Sequence, residues 1–195
     1  MPLAIIRYPH PILRYKTKPI NKINQNIRDI VEEMFELMYT ADGVGLAASQ
    51  VGLPYRLCVL NISGKRGNTE DEFVLINPVI KRRKGRIEDT EGCLSFPDIH
   101  VPVIRSTEIE IESIALSGVS QNLKWKAFPA RAAQHEIDHL NGVTMIDRLN
   151  ETELLTISDE LDAMETEFNS NRRLGFIPTD EEIMKQLEKL ETEQR

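Results

Sequence analysis

The stretch QHEIDHLNG at positions 134–142 constrains the fold of this chain more than any other part of its sequence. His135 and His139 are four residues apart, so on an α-helix their side chains point about 40° apart and lie about 6 Å apart along the axis. Both imidazoles can then reach one metal ion, and Glu136 adds a carboxylate beside the first of them. The stretch therefore predicts a helix that carries two metal ligands on one side.

The residues around this motif indicate where the helix begins and ends and which of its sides is apolar. Pro129 suits a first helical turn, and Gly142 suits the left-handed residue that ends a helix. Steps of about 100° per residue place Ala133, Ile137 and Leu140 on a stripe roughly opposite the two histidines. We therefore predict a helix from about residue 129 to the Asn-Gly pair, with a metal-binding side and an apolar side.

The rest of the chain combines further helices with a strand-rich middle. Apolar residues recur at helical spacing within 24–41 and again within 151–173. Residues 55–120 consist instead of short β-rich runs divided by Gly, Asn and Pro. The predicted fold class is therefore α+β, with mostly antiparallel β-strands around a central metal-binding helix, an N-terminal helix and a C-terminal helical extension.

The length of 195 residues suits one domain with a sizeable core. We assign residues 1–174 to that domain and residues 175–195 to a charged C-terminal helical tail, which we expect to be peripheral or frayed. No stretch approaches the roughly 20 apolar residues that span a bilayer. The N-terminus lacks the pattern of a secretory or transit peptide, so we expect no membrane partner and a cytoplasmic location.

The charge balance argues against a nucleic-acid-binding surface. The formal net charge is −7, whereas such a surface needs an excess of Lys and Arg to replace phosphate counterions. The basic run KRRKGR at 81–86 is short. We predict that it is a solvated turn between two strands, which also blunts a sheet edge.

The two histidines do not complete a metal site, so another residue has to supply a further ligand. Peptidases that share the HExxH pattern take it from downstream, and acids follow the motif here at Glu151, Glu153, Asp159, Glu160 and Asp162. These acids carry little information, because an amphipathic helix needs a polar face in any case. Cys93 within EGCLS is the better candidate, since a thiolate is a strong ligand for a borderline or soft divalent ion. We expect Cys58, inside YRLCVLNI, to be a small buried apolar residue.

A glycine-rich loop, GVGLAASQVG at 43–52, follows the first helix. It lacks the GxGxxG pattern and a Lys-Ser/Thr end, so phosphate binding is not expected. Its backbone can be approached closely by a substrate, and the amide of Gln50 can donate a hydrogen bond to it. The alternative is that Gln50 only stabilises the loop.

Taken together, GVGLAASQ at 43–50, EGCLS at 91–95 and QHEIDHLNG at 134–142 resemble the three ordered motifs of the peptide deformylases. Each motif alone is moderately specific, whereas the three in this order and spacing are highly specific. The resemblance covers about residues 3–150. It implies a metal-dependent hydrolase that removes the formyl group from the N-terminal formylmethionine of newly made polypeptides and releases formate.

By this resemblance, Cys93, His135 and His139 bind one divalent metal ion per chain, with water in the fourth position. The ion expected in the cell is Fe(II), although Zn(II), Ni(II) or Co(II) can occupy such a site. Arg105 and Asp138 are expected to form either a pair that orients the ligands or an ordinary surface ion pair.

The resemblance also implies the catalytic roles. Glu136 takes a proton from the metal-bound water, the resulting hydroxide attacks the formyl carbon, and Glu136 then protonates the departing amine. The side chain of Gln50 and the backbone N–H of Leu94 hold the oxyanion together with the metal.

For the substrate, the resemblance implies a peptide that lies extended along the Val44-Gly45 backbone like an added strand. The residues expected to bind the peptide and border its methionine pocket are Val44, Gly45, Gly92, Phe128, Arg131 and Ala132. Asp98 and Phe128-Pro129 depart from the pattern common in the family, and we expect them to reshape the pocket rim.

The expected partners are N-formylmethionyl peptides and nascent chains, and the protein is expected to be a monomer or weak dimer. The acidic tail does not resemble a basic helix that docks on ribosomal RNA, so no ribosome contact is predicted. Two alternatives remain: another HExxH metallohydrolase, either a peptidase or an N-acyl amidase, and a non-catalytic protein that binds metal or formylated peptides. Glu136 and Gln50 speak against the second, because a structural metal site needs neither.

Overall fold

The strand-rich region folds into two sheets in the computed structural model, which describes residues 2–193. The strands are β1 (Gly45–Ala47), β2 (Leu57–Asn61), β3 (Glu72–Lys84), β4 (Ile87–Cys93), β5 (Phe96–Arg105), β6 (Glu108–Ile114) and β7 (Ser120–Lys126). The larger sheet has the order β1-β2-β3-β6-β7, and β4 pairs with β5 in a separate sheet. All these strand pairs are antiparallel, which confirms the predicted α+β class.

The α-helices of the described residues are α1 (Gln25–Thr40), α2 (Ala127–Leu140), α3 (Glu151–Leu155), α4 (Ser158–Arg173) and α5 (Asp180–Glu193). The predicted N-terminal helix is confirmed as α1, and Asn24 caps it by accepting a hydrogen bond from the Ile27 N–H at 3.0 Å. The helical spacing within 151–173 predicts one continuous helix, and this prediction was wrong because the chain breaks between α3 and α4. The Thr156 hydroxyl donates to the Glu153 carbonyl at 2.6 Å there, so a side chain competes with the helix backbone. Between residues 2 and 193, no helix is both long and apolar enough to cross a membrane.

Helix α2 is the central element, and its residues from Ala130 to Leu140 are all buried. Ala133 and Ile137, on the predicted apolar stripe, pack in one cluster with residues from β1, β2, β3, β6 and β7. Gly142 follows the helix with a φ of 73°, the left-handed conformation predicted for it. Cys58 of β2 is fully buried in the same cluster, which confirms the expectation of a small apolar residue.

The glycine-rich stretch forms an edge strand and a 3-10 helix instead of an open loop. Strand β1 pairs with β2, and the 3-10 helix follows over Ala48–Val51. This turn brings Gln50 inward to 1% exposure, where its Oε1 accepts a hydrogen bond from the Ala47 N–H at 2.8 Å. The backbone of this stretch therefore orients the Gln50 amide.

The basic run lies mostly within a strand, so the prediction of a turn was wrong, although its residues are exposed to solvent as predicted. Residues 81–84 form the end of β3, which lies between β2 and β6 in the larger sheet. Strand β6 carries glutamates at alternate positions, and Glu112 pairs with Lys81 at 3.1 Å. Strand β2 pairs only with residues 72–76 of β3, so the basic end of β3 pairs with β6 alone, and cross-strand charge pairs stabilise it there.

Helix α5 packs on the N-terminal segment, so of the expected peripheral or frayed tail the frayed alternative was wrong. Ile183 and Leu187 are 4% and 3% exposed, and they form an apolar cluster with Ile12 of the N-terminal segment. The Tyr15 hydroxyl is hydrogen-bonded to Glu191. The tail carries a short apolar stripe whose packing partner lies near the other end of the chain.

Replacing Leu187 by Ala is expected to lower the free energy of unfolding by about 2–5 kcal/mol, because the change removes buried carbon atoms and leaves a cavity. Met184→Ala is the matched control, since Met184 lies on the same helix but is 38% exposed. Urea unfolding followed by circular dichroism measures both variants. Equal stability of the two variants would contradict the packing of α5.

Candidate metal centre

Cys93, His135 and His139 are brought together where the end of β4 meets α2. Their ligand atoms all lie within 4.8 Å of one another. The Nε2 of His139 lies 3.2 Å from the Sγ of Cys93 and 3.2 Å from the Nε2 of His135. One thiol and two imidazoles form a donor set that fits a divalent transition-metal ion, so the predicted ligands form a possible metal site.

The state of His139 also fits metal binding. The side chain is buried, and burial together with the neighbouring His135 holds the pKa of His139 well below its usual value. The imidazole is therefore neutral, which is the form that binds a metal.

Glu136 lies beside these residues in an environment that disfavours its charge. It is 5% exposed, and its Oε2 has no hydrogen-bond partner among residues 2–193. Burial raises the pKa of Glu136 to about 7. A Cβ on Gly45 would lie 2.5 Å from the Oε1 of Glu136, so only glycine at this position of β1 leaves room for the carboxylate.

The Gln50 amide lies on the other side of Cys93. Its Nε2 is 3.5 Å from the Sγ of Cys93 and 3.2 Å from the Oγ of Ser95. Leu94 lies in the turn between β4 and β5, directly after Cys93. An amide donor and the thiol are thus neighbours, as an oxyanion site next to the metal requires.

Every predicted site residue except His139 lines one cavity of about 810 Å³. These residues are Val44, Gly45, Gln50, Gly92, Cys93, Leu94, Phe128, Arg131, Ala132, His135 and Glu136. His139 is 1% exposed. Asp98 also lines the cavity and has a φ of 63°, a left-handed conformation that residues other than glycine seldom adopt.

The N-terminal segment adds a wall that sequence reasoning did not include. Leu3, Ile5 and Arg7 line the cavity. The segment is held there because the Ile6 N–H donates to the Gln50 carbonyl at 2.8 Å. No local pattern indicates this contribution, since it depends on a contact with a distant part of the chain.

Phe128 and Arg131, both predicted for the substrate pocket, differ in their surroundings. Phe128 is 49% exposed at the cavity rim. Arg131 is 7% exposed, and its guanidinium donates to the carbonyls of Val103 at 2.8 Å and Ile87 at 3.0 Å. It therefore links α2 to both strands of the smaller sheet, and its role in substrate binding stays a prediction.

Glu91 is a buried residue of the site that sequence reasoning missed. It accepts hydrogen bonds from the Nε and Nη2 of Arg105, both at 2.9 Å, and lies 3.0 Å from the Nδ1 of His135. Burial opposes its ionisation, but the hydrogen bonds from Arg105 and His135 outweigh this and hold the pKa of Glu91 well below its usual range. Its position two residues before Cys93 in the same strand was the signal in the sequence.

Arg105 also pairs with Asp138 of α2, and the two residues are 5% and 8% exposed. The alternative of an ordinary surface ion pair was therefore wrong. Asp138 accepts two further hydrogen bonds from Arg148, at 2.6 and 3.0 Å. The smaller sheet and α2 are thus joined by buried charges close to the metal ligands.

The site combines a thiol from β4 with two imidazoles and a buried carboxylate from an HExxH helix, and antiparallel sheets hold that helix. This combination defines the class as metal-dependent hydrolases of the HExxH kind. A sequence model of the polypeptide deformylase family matches residues 2–154. The chain belongs to this family, as its three motifs predicted.

Known proteins agree with this assignment. The chain is 39% identical over 186 residues to a peptide deformylase of Rhodopirellula baltica, covering 95% of this chain and 92% of the relative. It is 43% identical over 184 residues to peptide deformylase 1B, chloroplastic, of Solanum lycopersicum, covering 94% of this chain and 64% of that protein. A crystal structure of a plant peptide deformylase superposes with a TM-score of 0.85 at 40% identity, covering 92% of this chain and 96% of the other.

Proposed function

We propose that this protein removes the formyl group from the N-terminal formylmethionine of newly made polypeptides and releases formate. The observation that best supports the proposal is Glu136, whose buried carboxylate lines the same cavity as Cys93 and His135. A structural metal site needs no such base and is normally closed by a fourth protein ligand. The relatives named peptide deformylase support the same substrate class.

In this proposal Cys93, His135 and His139 hold one divalent ion, which is Fe(II) in the cell and is replaceable by Zn(II), Ni(II) or Co(II). When bound, the ion lowers the pKa of a water molecule and polarises the formyl carbonyl. Glu136 accepts a proton from that water and later delivers one to the nitrogen of the departing amine.

The formyl oxygen gains negative charge as the water oxygen attacks the formyl carbon. The Gln50 Nε2 next to Cys93 is one donor to this oxygen, and the Leu94 N–H is the other. The Gln50 amide needs no reorganisation, because its Oε1 is already held by the Ala47 N–H at 2.8 Å. Preorganised donors of this kind stabilise the transition state more than the ground state.

The peptide binds in this proposal as an extra strand beside β1, which is the edge strand of the larger sheet. Val44 and Gly45 contact its backbone. The methionine side chain enters the part of the cavity bordered by Gly92, Phe128, Arg131 and Ala132. A cavity of about 810 Å³ has room for this side chain and for the adjoining peptide backbone.

The direct test is formate release from formyl-Met-Ala-Ser by the Fe(II)- or Ni(II)-loaded protein. Acetyl-Met-Ala-Ser and unformylated Met-Ala-Ser are the comparison substrates. Release from the formyl peptide alone is expected. No release with metal confirmed bound would contradict the proposal, and cleavage of the comparison substrates would favour an amidase or a peptidase.

We also propose that residues 1–174 form the catalytic domain and residues 175–195 the appended tail. The protein acts in the cytoplasm as a monomer or weak dimer, without nucleic acid, membrane or ribosome as partners. The net charge of −7 supports the absence of a nucleic-acid surface. Elemental analysis of anaerobically purified protein, together with the formate assay, identifies the resident ion.

Gln50→Glu is expected to lower kcat about 10²- to 10³-fold, because it replaces a hydrogen-bond donor to the oxyanion by a carboxylate. The variant keeps an oxygen for the Ala47 N–H, so the 3-10 helix stays intact. Steady-state kinetics with formyl-Met-Ala-Ser measures kcat, and metal analysis shows whether the ion is retained. Wild-type kcat in the metal-loaded variant would rule out this role for Gln50.

A further inference from the structure

The Glu91 carboxylate is held by three buried partners. Arg105 binds both of its oxygens, Arg131 donates to its Oε1 at 2.6 Å, and the His135 Nδ1 lies 3.0 Å from its Oε2. The side chain of Glu91 is only 4% exposed. A guanidinium group only donates hydrogen bonds, so both oxygens of Glu91 already serve as acceptors.

This geometry has a consequence for the His135 imidazole. Because Glu91 can only accept, the His135 Nδ1 has to be the nitrogen that carries the proton. In the neutral imidazole, which is the form that binds a metal, the Nε2 then has the lone pair, and it is this atom that lies 3.2 Å from the Nε2 of His139. A partner behind a metal-binding imidazole commonly sets its tautomer and its orientation in this way.

The same carboxylate joins the two parts of the metal centre. Glu91 lies on β4 two residues before Cys93, whereas His135 and Arg131 lie on α2. Its contacts with α2 therefore hold the strand that carries the thiol against the helix that carries the imidazoles. An error of about 1 Å in such a separation is enough to impair a site of this kind.

We propose that Glu91 is a positioning residue of the metal centre: it accepts the Nδ1–H of His135 and directs the Nε2 of that imidazole toward Cys93 and His139. The inference rests on the proposed metal site. It adds a residue that binds neither metal nor substrate and acts through His135.

Glu91→Gln tests the proposal, because an amide can donate or accept toward Nδ1 and so sets no tautomer. We expect the dissociation constant for Zn(II), measured by competition with a chelator, to rise about 10- to 100-fold. Arg148→Gln is the matched control. It removes two hydrogen bonds from Asp138 in the same charged network and contacts neither Glu91 nor His135. Unchanged Zn(II) affinity in folded Glu91→Gln, or an equal loss in both variants, would overturn the proposal.

A second measurement needs no variant at Glu91 and remains decisive if Glu91→Gln does not fold. Nitrogen-15 NMR of the Zn(II)-loaded wild-type protein reports the protonation of each imidazole nitrogen. His10→Gln and His100→Gln identify the signals of the two remaining histidines, and His135 is assigned through its backbone connectivity. We expect a protonated Nδ1 and a metal-bound Nε2 in His135, whereas an Nδ1 without a proton would overturn the proposal.

These outcomes are separate from the proposed activity. A protein that binds Zn(II) with the expected dependence on Glu91 but releases no formate from formyl-Met-Ala-Ser would refute the proposed function and leave the positioning role intact. If the protein releases formate while Glu91→Gln keeps full metal affinity, the positioning role is refuted and the proposed function stands.

Discussion

Glu136→Gln is expected to lower kcat about 10²- to 10⁴-fold with formyl-Met-Ala-Ser, the range that a general acid/base contributes. Glutamine has nearly the same shape, but its amide neither accepts a proton from water nor delivers one to the departing amine. The change introduces no buried charge, because the amide is neutral, and burial already raises the pKa of the wild-type side chain to about 7. Fold and metal content are therefore expected to persist.

The measurement combines steady-state kinetics with metal analysis of the same sample. Glu88→Gln is a suitable control, since Glu88 lies on β4 with its side chain exposed. It is expected to have wild-type kcat. Equally low turnover in wild type and Glu136→Gln would favour a binding protein over an enzyme, and full turnover in Glu136→Gln would exclude Glu136 as the base.

Loss of a residue that hydrogen-bonds to a metal ligand typically weakens metal binding about 10- to 100-fold. Cys93→Ser is expected to weaken it by more than this, because the change removes a ligand itself. A serine hydroxyl is harder and far less acidic than a thiol, so it replaces the thiolate poorly. Affinity for Zn(II) or Co(II), measured by chelator competition, reports the loss. The absorption of a Co(II)–thiolate bond is expected in the wild type and absent in this variant.

Cys58→Ser provides the matched control within the same chain. Cys58 is fully buried, and burial raises the pKa of its thiol well above its usual value, so it remains a neutral apolar group. A buried hydroxyl is expected to cost about 1–3 kcal/mol of stability. Metal affinity is expected to be unchanged. Unchanged affinity in Cys93→Ser would show that the third ligand is another residue.

Much of the fold and site was predictable because the relevant signals are local. Helical spacing located α1 and α2, and β-rich runs located the sheets. The motif around His135 and His139 needs only the periodicity of a helix to bring two imidazoles to one side. Cys93 and Gln50 were found because each lies in a short motif that accompanies the first in this family.

The missed features share one physical cause, which is that they depend on contacts between distant segments. Glu91 contacts His135 because it is buried against α2, and its spacing from Cys93 does not by itself reveal that contact. Helix α5 is ordered through Ile12, near the opposite end of the chain. The break between α3 and α4 is a local exception, in which the hydroxyl of Thr156 competed with a helix whose apolar spacing continued through it.

Local spacing and the family motifs were thus enough to name Cys93, His135, His139, Glu136 and Gln50 as the candidate groups of the site. They could not establish that Cys93 meets the imidazoles within 4.8 Å, or that Gly45 leaves room for the Glu136 carboxylate. Those facts depend on how β1, β4 and α2 pack together. Distance, burial and hydrogen-bond partners are properties of that packing. They decide whether QHEIDHLNG is only a pair of histidines on a helix or part of a metal centre with a carboxylate base and an oriented amide.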